Sequence, residues 1–182
     1  MISKDIWQII PGLEIHGKPA PYGVLNERAI RSTAWIMFAI WFFTMLYTFF
    51  TRDYSLLQIV VTTFFLDFLL KVLWWPKYSP IAFLWKTLVS KQKPEYVWAI
   101  QKRFAWSLWV IMSWSVLLIS IFFEIRWILP LSLCAICLAF MWLESSAGIC
   151  VGCKIYYFFV DKKIIKTPII RPACPGGSCS LK

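Results

Sequence analysis

The sequence predicts an all-α integral membrane protein with four transmembrane helices. Of its 182 residues, 60% are hydrophobic and only 15% are charged, whereas soluble domains are roughly 45–50% apolar. Four apolar segments come close to, or exceed, the roughly 20 residues that a helix needs to cross a bilayer. We therefore expect the chain to lie in a lipid bilayer, with spans at about 33–50, 55–75, 105–123 and 127–150.

The links between these segments predict how the spans are arranged. The first two segments are joined only by TRDY, and the last two only by EIR. Such short links favour antiparallel neighbours. We therefore predict two helical hairpins, separated by the polar stretch 76–104, with both termini on the same side of the membrane.

The basic residues predict which side that is. Of nineteen Lys and Arg, all except Arg52, Arg126 and Lys71 fall on the terminal side of this arrangement. Short loops rich in Lys and Arg stay in the cytoplasm, so we expect both termini to be cytoplasmic. The same rule accounts for the net charge of +10, and we expect no nucleic-acid partner.

Three regions follow from these positions. Residues 1–30 contain several Pro and Gly and are predicted to be an irregular cytoplasmic segment. Asn26 is a candidate helix cap with Glu27 in the first turn, leading into a transmembrane domain over 31–160. Residues 161–182 are basic and rich in Pro and Gly, and we expect a flexible cytoplasmic tail that carries a Cys pair.

The polar stretch between the hairpins is predicted to contain an interfacial amphipathic helix. Four of its apolar residues share one helical face, which would lie along the cytoplasmic membrane surface: Ile81, Leu84, Trp85 and Leu88. After a break at Pro94, EYVWAIQKRFAW is predicted to form a helix that enters the third span.

Several motifs carry a resemblance to a known family. They are NERAIR, the Asp67 of FFLDFLLK, PKYSP, KRFAW and ESSAGICVGCKIY, in this order from about Asn26 to Tyr157. In these motifs the chain resembles a bacterial membrane family catalogued as domain of unknown function 4395. The resemblance implies a small four-helix protein of the bacterial inner membrane with a Cys pair on the cytoplasmic side. It also implies a thioredoxin-like or rhodanese-like partner, and hence thiol or sulfur chemistry, but no defined activity.

The six cysteines form three close pairs: Cys134 with Cys137, Cys150 with Cys153, and Cys174 with Cys179. Short spacing suits dithiol chemistry or metal binding, because two sulfurs must reach each other or one ion. Cys is also a small apolar residue that fits a helix interface. For the pair within the fourth span, packing is the favoured interpretation.

The first pair also shares a helical face with other residues. At the α-helical period, a stripe about 80° wide contains Cys134, Cys137, Met141, Glu144 and Gly148. Because this stripe includes a carboxyl, a thioether and two thiols, we expect it to face the interior of the bundle.

Cys150 and Cys153 are the leading candidates for chemistry. They are predicted near the cytoplasmic interface, where the adjacent Lys154 would favour the thiolate. A lasting disulfide is not expected in a reducing compartment. Three interpretations remain open for this pair: a reactive dithiol, part of a metal site, and simple packing.

Cys174 and Cys179 are the first and last residues of CPGGSC in the tail, where Pro and Gly permit a tight loop. This pair could exchange disulfides with Cys150 and Cys153. The same four cysteines could instead form a four-thiolate site for zinc or another thiophilic metal, although we otherwise expect no cofactor. As a third possibility, the tail recruits a soluble partner.

Three charged residues fall within the predicted spans. Asp67 and Lys71 are four residues apart, so they share a helical face and can pair. Such a pair either neutralises itself, with Lys71 extending to the interface, or forms a proton or substrate path. Glu144 has no partner in its own span, and we expect it to meet Lys71 or Arg103 across the bundle.

These observations give three functional hypotheses. The first is a membrane thiol-redox or sulfur-relay protein that uses Cys150, Cys153, Cys174 and Cys179. The second is a non-catalytic subunit or scaffold that packs against other membrane subunits, forms a homo-oligomer or recruits a soluble protein. The third is a small transporter component for a sulfur compound or metal ion.

Overall fold

The computed structural model describes residues 14–15, 18–19, 23–74, 79, 81, 96–123 and 128–165. Within them the chain is mainly helical, with α1 (Glu27–Thr51), α2 (Ser55–Leu73), α3 (Ala99–Leu117), α4 (Ile128–Ser146) and α5 (Val151–Asp161). A short π-helix, Leu118–Phe122, continues α3. The strands are β1 (Glu14–Ile15), β2 (Lys18–Pro19), β3 (Val24–Asn26) and β4 (Tyr96–Trp98). They form two antiparallel pairs, β1 with β2 and β3 with β4.

Four helical stretches are long and apolar enough to cross a membrane, as predicted: Glu27–Thr51, Ser55–Leu73, Ala99–Phe122 and Leu129–Ser146. Large apolar side chains also cover the outside of the bundle. Phe43 is 68% exposed and Phe50 is 77% exposed. An apolar surface of this kind is unfavourable in water and suits contact with lipid.

The start of α1 agrees with its predicted cap. Asn26 is the N-cap, and its Oδ1 accepts a hydrogen bond from the backbone N–H of Arg28 at 3.2 Å. The helix ends at Arg52, whose φ of 61° is left-handed. In the short link to α2, Oδ1 of Asp53 accepts from the N–H of Ser55 at 2.9 Å, so one backbone N–H at the start of α2 has a polar partner.

The ladder of β3 and β4 corrects one predicted helix. EYVWAIQKRFAW was expected to be helical throughout, but its second to fourth residues form β4 and α3 begins at Ala99. Val24 pairs with Trp98 and Leu25 with Val97, and all four side chains are almost completely buried. Aromatic and β-branched residues favour extended backbone when a partner strand is present. The ladder therefore joins the beginnings of α1 and α3.

Contacts between helix ends give the direction of two pairs. Gln58 near the start of α2 donates to the carbonyl of Ser120 at 3.4 Å, and Arg103 near the start of α3 donates to that of Val72 at 2.9 Å. These contacts make α2 and α3 antiparallel, and the two helices pack extensively on each other. In the same way α1 is antiparallel to α4, since Arg31 near the start of α1 donates to the carbonyl of Ser146 at the end of α4 at 3.4 Å. Nearer the middle of both helices, Trp41 donates from Nε1 to the carbonyl of Cys134 at 3.0 Å.

Three span limits differ by several residues from the predicted ones. The first apolar helix begins at Glu27, before the predicted residue 33, and the third begins at Ala99, before the predicted residue 105. The fourth ends at Ser146, before the predicted Cys150. Of the predicted interfacial helix, Ile81 is described and is buried in the apolar core of the bundle. The prediction for Leu84, Trp85 and Leu88 concerns residues outside the described ranges.

Candidate functional site

A break after α4 places Cys150 and Cys153 at the beginning of α5. Gly148 has a φ of +66°, and the N–H of Ile149 donates back to the carbonyl of Leu143 at 3.0 Å. A residue in the left-handed region, usually Gly, commonly ends an α-helix. Cys150 then becomes the N-cap of α5, and Cys153 lies in its first turn. The fourth apolar helix was predicted to end at about Cys150, but it ends at Ser146 because Gly148 follows in the left-handed conformation.

Close contact with α3 holds α5 in place. A Cβ added to Gly152 would lie 2.6 Å from Cβ and 2.8 Å from Cα of Ala105. Real Cβ atoms do not approach other atoms so closely, so only glycine allows this approach of the two helices. Tyr157 adds a second link, since its hydroxyl donates to Oε1 of Gln101 at 2.6 Å. These contacts bring Cys150 and Cys153 against Ala105, with which they form a small buried cluster.

The two thiols are free, buried and packed in the same small cluster. Cys150 is 6% exposed and Cys153 is 4% exposed. A side-chain hydrogen bond with Cys153 is the largest influence on Cys150 and raises its pKa well above the ordinary value. Burial raises the same pKa further, and the Glu144 carboxylate adds to it. The Cys150 thiol therefore keeps its proton at neutral pH, contrary to the expectation of a favoured thiolate.

A buried lysine lies beside this pair. Lys102 is 1% exposed, and its Nζ lies 3.0 Å from Oε1 of Glu144 and 3.9 Å from Oε1 of Glu27. Three helices, α1, α3 and α4, thus contribute one charged group each. The prediction that Glu144 meets Lys71 or Arg103 is wrong, because Lys102 is the partner that α3 brings to it.

Lys102 is also the cation that acts on the dithiol. It interacts electrostatically with both Cys150 and Cys153, and it opposes the rise in the pKa of Cys150. Lys154, which the sequence suggested for this role, is exposed. Sequence reasoning missed Lys102 and Glu27, since they look like ordinary basic and acidic residues at helix ends. The signal that could have identified Lys102 is a basic residue inside the first turn of an apolar helix.

A cavity of about 170 Å³ reaches the same site from between α3, α4 and α5. Its polar groups are few, and its walls are mainly apolar side chains such as Leu108, Met112 and Phe140. Cys150 and Glu144 also line it. The arrangement can therefore bring an apolar molecule against one thiol of the pair and one carboxyl group.

The other predicted charged pair lies elsewhere on the bundle. Nζ of Lys71 is 2.6 Å from Oδ2 of Asp67, which confirms the predicted ion pair. Ser79 donates its hydroxyl proton to the other oxygen of Asp67, and the Lys71 ammonium lies 5.1 Å from the centre of the Phe68 ring. Lys71 is buried instead of extending to the interface. The pair is thus neutralised locally.

The remaining cysteines divide into two cases. Cys134 and Cys137 are free thiols in the apolar core of the bundle, and Met141 is buried beside them, as the predicted stripe requires. Cys174 and Cys179 lie outside the described residues. Within the described ranges no cluster of three or more His, Cys, Asp or Glu could hold a metal ion. A four-thiolate site that includes the tail therefore stays a prediction.

Comparison with known proteins gives one match. The model of a family described as a domain of unknown function, DUF4395, matches residues 25–161. The match covers α1 to α5 and includes Lys102, Glu144 and the Cys150–Cys153 pair. No curated protein and no solved structure matches the chain.

Proposed function

Because this chain belongs to the DUF4395 family, whose description names no activity, we propose its function from the site itself. It is a membrane-embedded thiol-redox or sulfur-relay protein in which Cys150 and Cys153 are the working dithiol. The observation that carries this proposal is that two free thiols are buried together against Ala105 at the start of α5, within the electrostatic reach of the buried Lys102.

The position of the two sulfurs suits reversible disulfide chemistry. In exchange with a partner disulfide, one thiolate attacks a partner sulfur and the second then attacks the mixed disulfide. The two S–H bonds break, a Cys150–Cys153 bond forms, and the partner receives two electrons and two protons. Lys102 assists this exchange because an adjacent cation stabilises the thiolate that attacks.

The electron partner is either a second thiol pair or a soluble protein. Cys174 and Cys179 in the tail are one candidate, and a thioredoxin-like protein is another. With a rhodanese-like partner the same dithiol would pass on a persulfide sulfur in place of electrons. Because Cys150 and Cys153 are at most 6% exposed, a protein partner requires α5 to move away from Ala105.

We further propose that the four spans form two hairpins in a bacterial inner membrane, with both termini in the cytoplasm. The support is the distribution of Lys and Arg, of which only Arg52 and Arg126 fall on the opposite side. A reporter enzyme that works only in the cytoplasm should be active when it is fused after Lys182, and one that works only in the periplasm should be inactive there. Activity of a periplasmic reporter at that position contradicts the orientation and places the dithiol on the other face.

Alkylation mass spectrometry on the purified full chain tests the thiol function. The protein is equilibrated in buffers with different ratios of reduced and oxidised dithiothreitol, alkylated, and mapped by peptide. We expect a reversible transition in which two thiols lose two electrons and two protons and form a disulfide, either between Cys150 and Cys153 or between one of them and a tail cysteine. Cys134→Ser serves as the matched control and should keep this transition.

Other outcomes favour the other hypotheses. Stoichiometric zinc in the purified protein, lost in Cys150→Ser, supports the four-thiolate site and contradicts the redox function. Six thiols that never oxidise, in protein without metal, contradict both and leave the scaffold and the transporter component. Metal analysis on the same sample therefore accompanies the alkylation experiment.

A further inference from the structure

We propose that the cavity between α3, α4 and α5 binds the ring of a lipid-soluble quinone, which oxidises the Cys150–Cys153 dithiol. This inference rests on the thiol-redox function proposed above and names the oxidant class for the same site. It gives the dithiol an electron acceptor that lies in the membrane.

The size of the cavity fits a single ring. Its volume is about 170 Å³, and an apolar protein cavity of about 150 Å³ is known to hold benzene. A six-membered ring with small substituents therefore fills it. Walls formed by Leu108, Trp109, Met112 and Phe140 would pack against the faces and edges of such a ring.

The few polar groups of the cavity select a quinone over a simple hydrocarbon. Glu144 and Cys150 line it, while the other side chains of the lining are apolar or the Trp109 indole. A quinone combines an apolar ring with two carbonyl oxygens, which accept hydrogen bonds. Cys150 keeps its proton and can donate it to one of them. A charged or strongly polar metabolite would leave its groups unsatisfied against these walls.

The position of the cavity selects a molecule that dissolves in lipid. One wall includes Ile111, which is 60% exposed on the outside of α3, and this residue belongs to the membrane-capable stretch Ala99–Phe122. The cavity thus opens on the apolar flank of the bundle. A quinone in the bilayer reaches Cys150 without leaving the hydrocarbon, although both thiols are nearly inaccessible to a soluble protein.

The reaction balances without a further reactant. The S–H bonds of Cys150 and Cys153 break, and a disulfide bond forms between their sulfurs. The quinone takes up the two electrons and two protons and leaves as the quinol. Glu144 contacts both the cavity and Lys102, so its carboxylate can accept one thiol proton and pass it to a quinone oxygen.

The test uses the full chain carrying Cys174→Ser and Cys179→Ser, reduced and placed in lipid nanodiscs. The probe is 2,3-dimethoxy-5-methyl-6-decyl-1,4-benzoquinone, and quinol formation is followed by absorbance. Intact mass after alkylation should show loss of two hydrogens at Cys150 and Cys153. Leu108→Trp fills the cavity and should slow quinol formation about tenfold or more. The matched control Leu66→Trp, at a 51% exposed position of α2, should leave the rate unchanged.

Several results would overturn the inference. Equal rates in Leu108→Trp and Leu66→Trp exclude the cavity as the quinone site, and a mass gain of one whole quinone shows simple adduct formation. If Leu108→Trp does not fold, Phe140→Trp replaces it, with Ile136→Trp as its control. A dithiol that oxidises in dithiothreitol buffers but not with the quinone overturns this inference alone. A dithiol that oxidises in neither overturns the thiol-redox function as well.

Discussion

Cys134–Cys137 and Cys150–Cys153 have the same spacing but different surroundings. Cys134 and Cys137 lie inside α4, are buried in the apolar core and pack among the side chains of the bundle. Cys150 instead caps a new helix, packs in a small cluster with Cys153 and Ala105, and lies within the electrostatic reach of Lys102. The spacing of two cysteines therefore does not determine their role.

The difference comes from the backbone and from the charge beside it. Within α4 the backbone N–H groups are used by the helix, whereas the first turn of α5 has unpaired N–H groups and the positive end of the helix dipole. Both features favour a developing thiolate, and Lys102 adds a full charge. Burial opposes them and raises the pKa of Cys150, so this thiol keeps its proton at rest with the groups for ionisation nearby.

Removing one cysteine from each pair should give the largest contrast. Cys150→Ala or Cys153→Ala should abolish the two-electron transition in dithiothreitol buffers, because no second sulfur remains in reach. Cys134→Ala or Cys137→Ala should keep it and lower the free energy of unfolding by about 1 kcal/mol through the lost packing. Peptide-level alkylation and thermal unfolding in detergent measure the two effects. A transition that persists in Cys150→Ala would place the working dithiol elsewhere.

Removing Lys102 should be the next largest effect. Lys102→Met leaves Glu144 and Glu27 without their shared cation, and breaking a buried pair costs about 3–5 kcal/mol of stability. Lys71→Met is the matched control, because it breaks the buried pair with Asp67. Both variants should lower the unfolding temperature, but only Lys102→Met should change the dithiol midpoint in redox titration. The same midpoint shift in both variants would show that Lys102 has no specific effect on the thiols.

Enlarging Gly152 tests the position of α5. In Gly152→Ala the new methyl group overlaps Ala105, so α5 must shift, at a cost of about 1–3 kcal/mol. We expect a lower unfolding temperature and faster alkylation of Cys150 and Cys153. The double variant with Ala105→Gly removes the Cβ in the closest contact and should recover part of the loss. Unchanged alkylation in stably folded Gly152→Ala would show that this contact does not shield the thiols.

The pH dependence of Cys150 should give the smallest effect. Its raised pKa means that alkylation by iodoacetamide is slower than in the denatured chain near pH 8.5, where an ordinary thiol is about half ionised. Because the folded-state pKa exceeds the unfolded one, the bound proton stabilises the fold below about pH 8.5. This contribution is lost as the pH rises through the folded-state value. Lys102→Met should slow the reaction further. A folded-state rate equal to the denatured one would contradict the raised pKa.

Much of the fold followed from sequence patterns that are local. Apolar runs of sufficient length predicted the four membrane-capable helices, because crossing a bilayer requires continuous hydrophobicity. The cap at Asn26 and the pair of Asp67 and Lys71 followed in the same way, since both depend on residues four or fewer apart. The strand at Tyr96–Trp98 was missed because its partner, Val24–Asn26, is distant in sequence and extended backbone there depends on that pairing.

The sequence by itself determined that Cys150 and Cys153 form a close pair near the end of an apolar segment. The tertiary structure decided that they begin α5, that Gly152 holds them against Ala105, and that Lys102 and Glu144 lie beside them. These relations join α3, α4 and α5 through residues that are far apart in sequence. Their physical reason is that a charge buried in a bundle needs a partner of opposite sign, and for Lys102 that partner, Glu144, lies on another helix.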